Sequence, residues 1–589
     1  MVASSRVNGP EHPDTLTAMA NLAATFRNQG RWKEAEVLQL QVMETSLRVH
    51  GQEHPSTFTS MANLASTYCK QGRWKEAEGL ELQVMETRKR ALGQEHPDTL
   101  TSMANLASTY RDQGRWKVAE GLQLQVVETR KRVLGHKHPD TLTSMANLAS
   151  TYRDQGRWKE AEGLELQVVE TSLRVLGQEH PDTLTSTINL AGTYRKQGRW
   201  KEAEGLELQV VETRKRVLDQ EHPDTLTSMA NLASTYRDQG RWKEAEGLEV
   251  QVVESSLRVL GEVHRDTLTS MANLASTYWN QGRLKEAESL ELRVMQTRKR
   301  ELGQEHPDTL TSMANLASTY CYQGRLKEAE RLELQVVETR KRVLDQAHPD
   351  TLTSMANLAS TYRGQGRWKE AEGLELQVME TRKRVLGAEH PHTLTSLANL
   401  AGTYKNQGRW KEAEELELQV METRMRVLGK EHPGALTSMA NLASTYCNQG
   451  RWKEAEGLEL QVMETRKRVL GQEHPDALTS MANLASTYFN QARWKEAEGL
   501  ELKVMETRAR VLGQEHPLTL ASMANLASTY RDQGRWKEAE ELCVGALEKS
   551  KDVLGPEHPN TLPYAHNLTS LRLNMSSDPT PGDINILRP

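Results

Sequence analysis

Apolar residues in this chain come in two bursts, each closed by a glycine, and the pair of bursts recurs. Between residues 138 and 179 the first burst places Leu142, Met145, Leu148, Ala149 and Tyr152 three or four apart, the stripe of an amphipathic helix. His138-Pro139-Asp140 precedes it. Proline costs nothing in a first helical turn, and aspartate favours the positive helix end. Gly156 supplies the left-handed turn that ends this helix. The second burst runs through Trp158, Ala161, Leu164, Leu166, Val168, Val169, Val175 and Leu176, with Glu160 and Glu162 in its first turn, and stops at Gly177. In most copies its last turn reads like Arg130-Lys131-Arg132, which suits the negative helix end, and Glu128 lies four residues before Arg132. No window alternates with the period of two that a strand needs. The pattern predicts a helical hairpin, helix A then helix B, of about 16 and 19 residues, or about 24 and 28 Å.

The hairpin recurs every 42 residues, without insertion or deletion, and each copy starts on a histidine, from His12, His54 and His96 through to His516 and His558. A fixed period of this size means a solenoid, in which each unit contacts its neighbours, and it overrides the length prior of about four globular domains. The expected organisation is thirteen repeats over 12–557, a half-repeat capping helix over 558–575, a disordered tail over 576–589, and a remnant of a preceding repeat or a linker over 1–11. Leu562, Leu568 and Leu571 are expected to lie on repeat 13, and Pro579 and Pro581 favour disorder in the tail.

Composition narrows the classes. Lys plus Arg number 75 and Asp plus Glu 80, a net charge of −5, which argues against a nucleic-acid partner. Apolar runs are too short for a membrane span. The first ten residues have no apolar core, so they read as no secretory signal. Cys69, Cys321, Cys447 and Cys543 form no ligand spacing and read as reduced thiols of a cytoplasmic protein. No phosphate loop, HExxH, nucleophile elbow or isolated carboxylate pair appears, so no catalytic or metal site and no cofactor is expected.

Met145-x2-Leu148-Ala149-x2-Tyr152, then Gly156, Trp158 and Ala161, resembles the tetratricopeptide pattern. The 42-residue period, the Asn-Leu-Ala in helix A and the Leu-Gly-x-Glu-His-Pro junction are similar to the kinesin-light-chain type of that family. The resemblance covers Pro10 to about Asn567 and implies an all-α, right-handed superhelical solenoid of tetratricopeptide-like hairpins. It departs from the family at Glu165, where a second aromatic is usual, and at Val168, where a small residue is usual; Ala546 restores the latter in repeat 13. Such arrays also resemble the C-terminal arms of NOD-like receptor ATPases.

An asparagine recurs in every helix A, among them Asn189, Asn231, Asn273, Asn315 and Asn357. The resemblance implies that these carboxamides line an inner groove and bond the backbone of an extended peptide, a task their paired donor and acceptor suit. An inter-helix hydrogen bond is the other reading. The His-Pro histidines, spaced one repeat apart, read as helix N-terminal and junction residues. Trp32, Trp74 and their counterparts read as wedges buried between the two helices, replaced by Leu284 and Leu326 in repeats 7 and 8.

Copies differ most at the two residues after the helix A tyrosine, which include Arg195-Lys196, Arg237, Trp279, Tyr322, Arg363, Lys405 and Phe489. Either this pair reads a partner or it drifts at a tolerant helix end. It carries ten cations against four carboxylates, a basic stripe that favours an acidic partner segment. Trp279 and Tyr322 read as an anchor, or Trp279 fills space left by Leu284. Repeat 7 carries further departures, Arg265 for proline and Glu301 at an expected half-buried position, and reads as the weakest point. The leading expectation is a non-enzymatic scaffold binding extended, acidic peptide segments in the helix A groove. The alternatives are the regulatory arm of a NOD-like ATPase and a passive spacer. The oligomeric state is left open.

Overall fold

A computed structural model describes residues 9, 11–28, 31–556, 558 and 560–577. Apart from residues 9, 11, 576 and 577, the expected N-terminal remnant and C-terminal tail lie outside the described residues. Twenty-seven helices and no strand occur among the described residues, an all-α solenoid of hairpins. Repeat 4 is representative, with helix A at Pro139–Asp154 and helix B at Trp158–Val175.

The His-Pro start builds the N-terminus of helix A. His96 holds extended backbone (ψ 138°), and its Nδ1 accepts the Asp98 N–H at 3.2 Å. One of the orphan donors of the first turn is thereby satisfied, while Pro97 has none to satisfy. In repeat 4 the core is the expected stripe: Leu142, Met145, Leu148, Ala149 and Tyr152 pack with Ala161 and Val168 of helix B and Val127 of the preceding repeat. Each large side chain buried this way stabilises by about 1.5–3 kcal/mol.

The arginine before the tryptophan joins neighbouring repeats. Arg115 donates to Glu78 at 2.8 Å and lies 4.1 Å over the Tyr110 ring, while Gln113 donates to Glu78 at 2.8 Å and to the Trp74 carbonyl at 3.2 Å. Arg451, Gln449 and Glu414 repeat the arrangement. Its recurrence accounts for a face that scarcely varies between copies.

Contacts divide the chain into two units. The first holds the described residues up to Ser276 with Ser289–Leu316 and Leu332–Met355; the second holds Thr277–Glu288, Ala317–Arg331 and the described residues from Ala356 onward. In the first unit, His306 Nε2 meets the Lys70 carbonyl at 3.1 Å, and His348 Nε2 meets that of Asp112 at 3.2 Å. In the second, His516 meets the Asn280 carbonyl at 3.2 Å and His558 that of Tyr322 at 2.9 Å. Repeats six apart in sequence therefore touch within each unit. His306, His348 and His516 accept a backbone N–H at Nδ1 and donate at Nε2, which requires the neutral ring, and burial holds all three below the usual range. At Gly114, with φ +74°, an added Cβ would lie 2.5 Å from Pro349 Cδ, so both the backbone and the contact require glycine.

Three expectations are corrected here. The tryptophans are not buried wedges as a class: Trp32 is buried, but Trp368 is 41% exposed and Trp494 37%. The hairpin closes instead on the fully buried alanine three residues on, as at Ala77 and Ala371. Trp32 and Trp74 stack on His306 and His348 at 4.8 and 5.0 Å, so they belong to the contact between distant repeats. Glu301 is exposed and paired with Arg300 at 2.8 Å, which removes the buried charge that marked repeat 7 as weak. In the last helix, Thr561–Ser577, Leu568 and Leu571 pack on Tyr530 and Cys543 of repeat 13, whereas Leu562 stays 50% exposed.

Candidate functional site

Asn189, Asn231, Asn273, Asn315 and Asn357 occupy the same position in five successive A helices, and all are half-buried. The backbone carbonyls of Asn189 and Asn273 take part in repeat joints, accepting from Arg153 and Arg237 respectively. The carboxamides of all five make no hydrogen bond to another described residue. In the first unit, Asn231 and Asn273 both line a cavity of about 160 Å3 between the A helices of repeats 6 and 7, lined also by Val252 and Ser256 of the intervening helix B and by Leu260 at its C-terminal cap.

The variable pair does not present a free basic stripe, which corrects the charge expectation. Arg237, Arg363 and Lys405 point at Glu249, Glu375 and Glu417 of their own helix B at 3.3, 3.4 and 3.2 Å. Arg195 reaches Asp238 of the next repeat at 3.1 Å. These cations are half-buried and bind the array to itself; Lys196 alone among the named cations is exposed. Glu249, Glu375 and Glu417 stand in register with Glu165, where the family usually has an aromatic, and their burial was not legible from sequence.

Burial pushes Glu81, Glu165, Glu207, Glu459 and Glu501 up to about 7, partly offset by threonine hydroxyls and, for Glu165 and Glu207, by Arg153 and Arg195. Opposite three of these carboxylates the variable residue is neutral: Cys69, Cys447 and Phe489, the last half-buried. Cys69, Cys321 and Cys447 each lie 3.1–3.3 Å from a threonine hydroxyl of the next repeat, and burial pushes the Cys69 thiol up to about 12. All three are joint residues, and burial also pushes the Cys447 thiol up, which makes Cys69 and Cys447 poor nucleophiles.

Trp279 and Tyr322 come together, edge to face at 4.3 Å, on the ends of neighbouring A helices. Tyr322 is 58% exposed, and Trp279 is half-buried with its indole N–H unpartnered. Leu326, where most repeats have tryptophan, lines a surface depression of about 660 Å3 with Arg325, Glu330 and Arg367. Among the described residues no cluster of His, Cys, Asp and Glu could hold a metal ion, and no helix is long and apolar enough to cross a membrane.

No curated protein matches the chain. Among solved structures it is similar to the kinesin light chain nearly identical TPR-like repeats of Podosopora anserina, at 35% identity over 35% of this chain and 98% of that one, with a TM-score of 0.31. It is also similar to BtubC (BKLC) from P. vanneervenii, at 16% identity over 42% and 93% of the two chains, with a TM-score of 0.32. The tetratricopeptide repeat family matches residues 14–90, 56–131, 98–173, 182–257 and 266–342, and again 351–392, 393–434, 435–476, 477–518 and 519–560. With hairpins in unbroken register and family matches along nearly its whole length, the chain is a protein-interaction scaffold and belongs to the tetratricopeptide repeat family.

Proposed function

We propose that this chain is a non-enzymatic cytoplasmic scaffold that holds extended segments of partner proteins along its A helices. In this reading Asn189, Asn231, Asn273 and Asn315 of the first unit bond the backbone of the segment, one repeat after another, and Asn357 offers the same group within the second unit. One observation carries it: these carboxamides are half-buried, in register, and free of side-chain hydrogen bonds to the rest of the described chain. A half-buried donor and acceptor gains by finding a partner. Trp279 and Tyr322 of the second unit offer a separate aromatic pair at the ends of two A helices. An acidic preference is the lesser part of the proposal, because Arg237, Arg363 and Lys405 already face carboxylates.

The test is a random-peptide display selection on the full chain, followed by affinities of the selected peptides for Asn231→Ala/Asn273→Ala/Asn315→Ala. Three hydrogen bonds of about 0.5–1.5 kcal/mol each predict a loss of roughly tenfold or more, with helicity unchanged. Unchanged affinity in a folded variant overturns the reading.

A further inference from the structure

Helix B ends on an arginine that is not on the surface. In repeat 5, Arg214 is buried; its Nη1 donates to the Asp224 carbonyl and to Ser228 Oγ, both at 2.8 Å, and its Nη2 to Thr185 Oγ1 at 3.4 Å. Arg130 makes the same three bonds, at 3.0, 2.8 and 3.0 Å, and Arg340 at 3.1, 2.7 and 3.0 Å. Arg298, Arg424, Arg466 and Arg508 follow the same scheme. The cradle is built from neutral acceptors: a backbone carbonyl, a serine and a threonine. Ser228 spends its own proton on Asp224 O at 2.9 Å, and Thr101 and Thr311, beside Arg130 and Arg340, spend theirs on Pro97 O and Pro307 O at 2.9 and 3.0 Å, so each offers a lone pair to the guanidinium.

Repeat 6 has Ser256 at this position. The acceptors are all retained. Ser270 Oγ donates to Asp266 O at 2.9 Å and Thr227 Oγ1 to Pro223 O at 2.9 Å, as in the repeats that carry arginine. The cavity of about 160 Å3 lies here, and Asp266, Ser270 and Thr227 line it together with Ser256, Asn231 and Asn273. A cavity of about 150 Å3 admits benzene, so a planar guanidinium with its first methylene fits. Thr227 is exposed and Asn231 and Asn273 are half-buried, which puts the opening on the helix A side. The nearby Arg258 cannot supply the charge, because it is exposed and bound to Glu221.

We propose that the cavity at Ser256 is a binding site for the guanidinium of an arginine presented by a partner protein, held by the Asp266 carbonyl, Ser270 and Thr227 as the chain's own arginines are held elsewhere. Planar fork geometry selects arginine over lysine, since the three acceptors are spaced for two nitrogens of one group. The site goes beyond the asparagine reading and stands without it, because none of its three guanidinium acceptors is a carboxamide.

The experiment is ligand-observed saturation-transfer NMR on the full chain, with N-acetyl-arginine N-methylamide as probe and the lysine and citrulline analogues beside it. Saturable binding of the arginine probe is expected, at least tenfold tighter than either analogue. Ser256→Arg, which supplies an internal guanidinium, should weaken it at least tenfold, while Ser256→Ala should leave it unchanged. Equal binding to wild type and Ser256→Arg, or equal binding of the lysine analogue, overturns the proposal. Should Ser256→Arg fail to fold, Thr227→Val with Ser270→Ala removes two acceptors and must produce the same loss. Asn231 and Asn273 are untouched in every variant, so failure here is separate from failure of the backbone-binding reading.

Discussion

Replacing Glu459 and Glu501 by glutamine should make the array more stable at pH 8 and leave it nearly unchanged in acid. Both carboxyls are buried, each has a buried oxygen without a hydrogen bond, and neither has a cation at the variable position opposite, where Cys447 and Phe489 stand. Burial raises both from 4.5 to about 7. A raised carboxyl binds its proton more tightly in the folded state than in the unfolded one. Its contribution is therefore fully present below about pH 4.5 and is lost as pH rises to about 7. At 1.36 kcal/mol per pH unit, that interval is worth about 3 kcal/mol per site at most. Glutamine keeps the shape and cannot ionise. The assay is urea denaturation followed by circular dichroism at pH 5, 6, 7 and 8, on wild type and on Glu459→Gln/Glu501→Gln. Taking the difference cancels the opposing titration of His306, His348 and His516, whose rings are held neutral and which destabilise the fold as pH falls. A difference that grows with pH and levels off above pH 7 is expected. An equal difference at pH 5 and pH 8 would show that these carboxylates are solvated, and the joint geometry would be wrong.

Gly114→Ala should destabilise more than Gly366→Ala. Both have φ near +75°, costing about 1–2 kcal/mol for an L side chain, but only Gly114 meets Pro349, adding about 1–3 kcal/mol of overpacking; thermal melts giving equal losses would deny the contact between repeats six apart. Trp279→Ala should lower the melting temperature more than Tyr322→Ala, because Trp279 is the more buried partner of a pair worth about 0.5–1.5 kcal/mol beyond its area; the reverse order in the same melts would make Trp279 a surface residue. Cys69, with its thiol pushed up to about 12, should resist a disulfide reagent at pH 8 until urea unfolds its repeat, which mass spectrometry of labelled peptides can follow.

Helix positions were legible because two strong signals agree. Apolar spacing of three and four defines each face, and in repeat 4 a His-Pro start opens helix A and a glycine follows each helix, so the helices lie at Pro139–Asp154 and Trp158–Val175 as the pattern predicts. The tryptophan was misread because an amphipathic stripe assigns every large apolar residue to the core, whereas Trp74 packs on His348, far away in sequence. That contact arises from the small rotation between successive repeats, summed over six of them, and no single repeat encodes it visibly. Arg237 read as free charge because Glu249, twelve residues on, lies across the hairpin on a face taken to be solvated. The cavity left a trace in the aligned repeats, arginine giving way to Ser46, Ser172, Ser256 and Ser550, but only the geometry reveals which acceptors arginine satisfies.

An extended segment lying on the asparagine ladder would place its backbone against one carboxamide per repeat. The most direct measurement is a crystal structure of the full chain with one display-selected peptide. The account predicts the carboxamides of Asn189, Asn231, Asn273 and Asn315 within about 2.7–3.2 Å of the peptide's backbone N–H and C=O groups. A peptide seated on the B helices, or on the A helices with the carboxamides turned away, would contradict it.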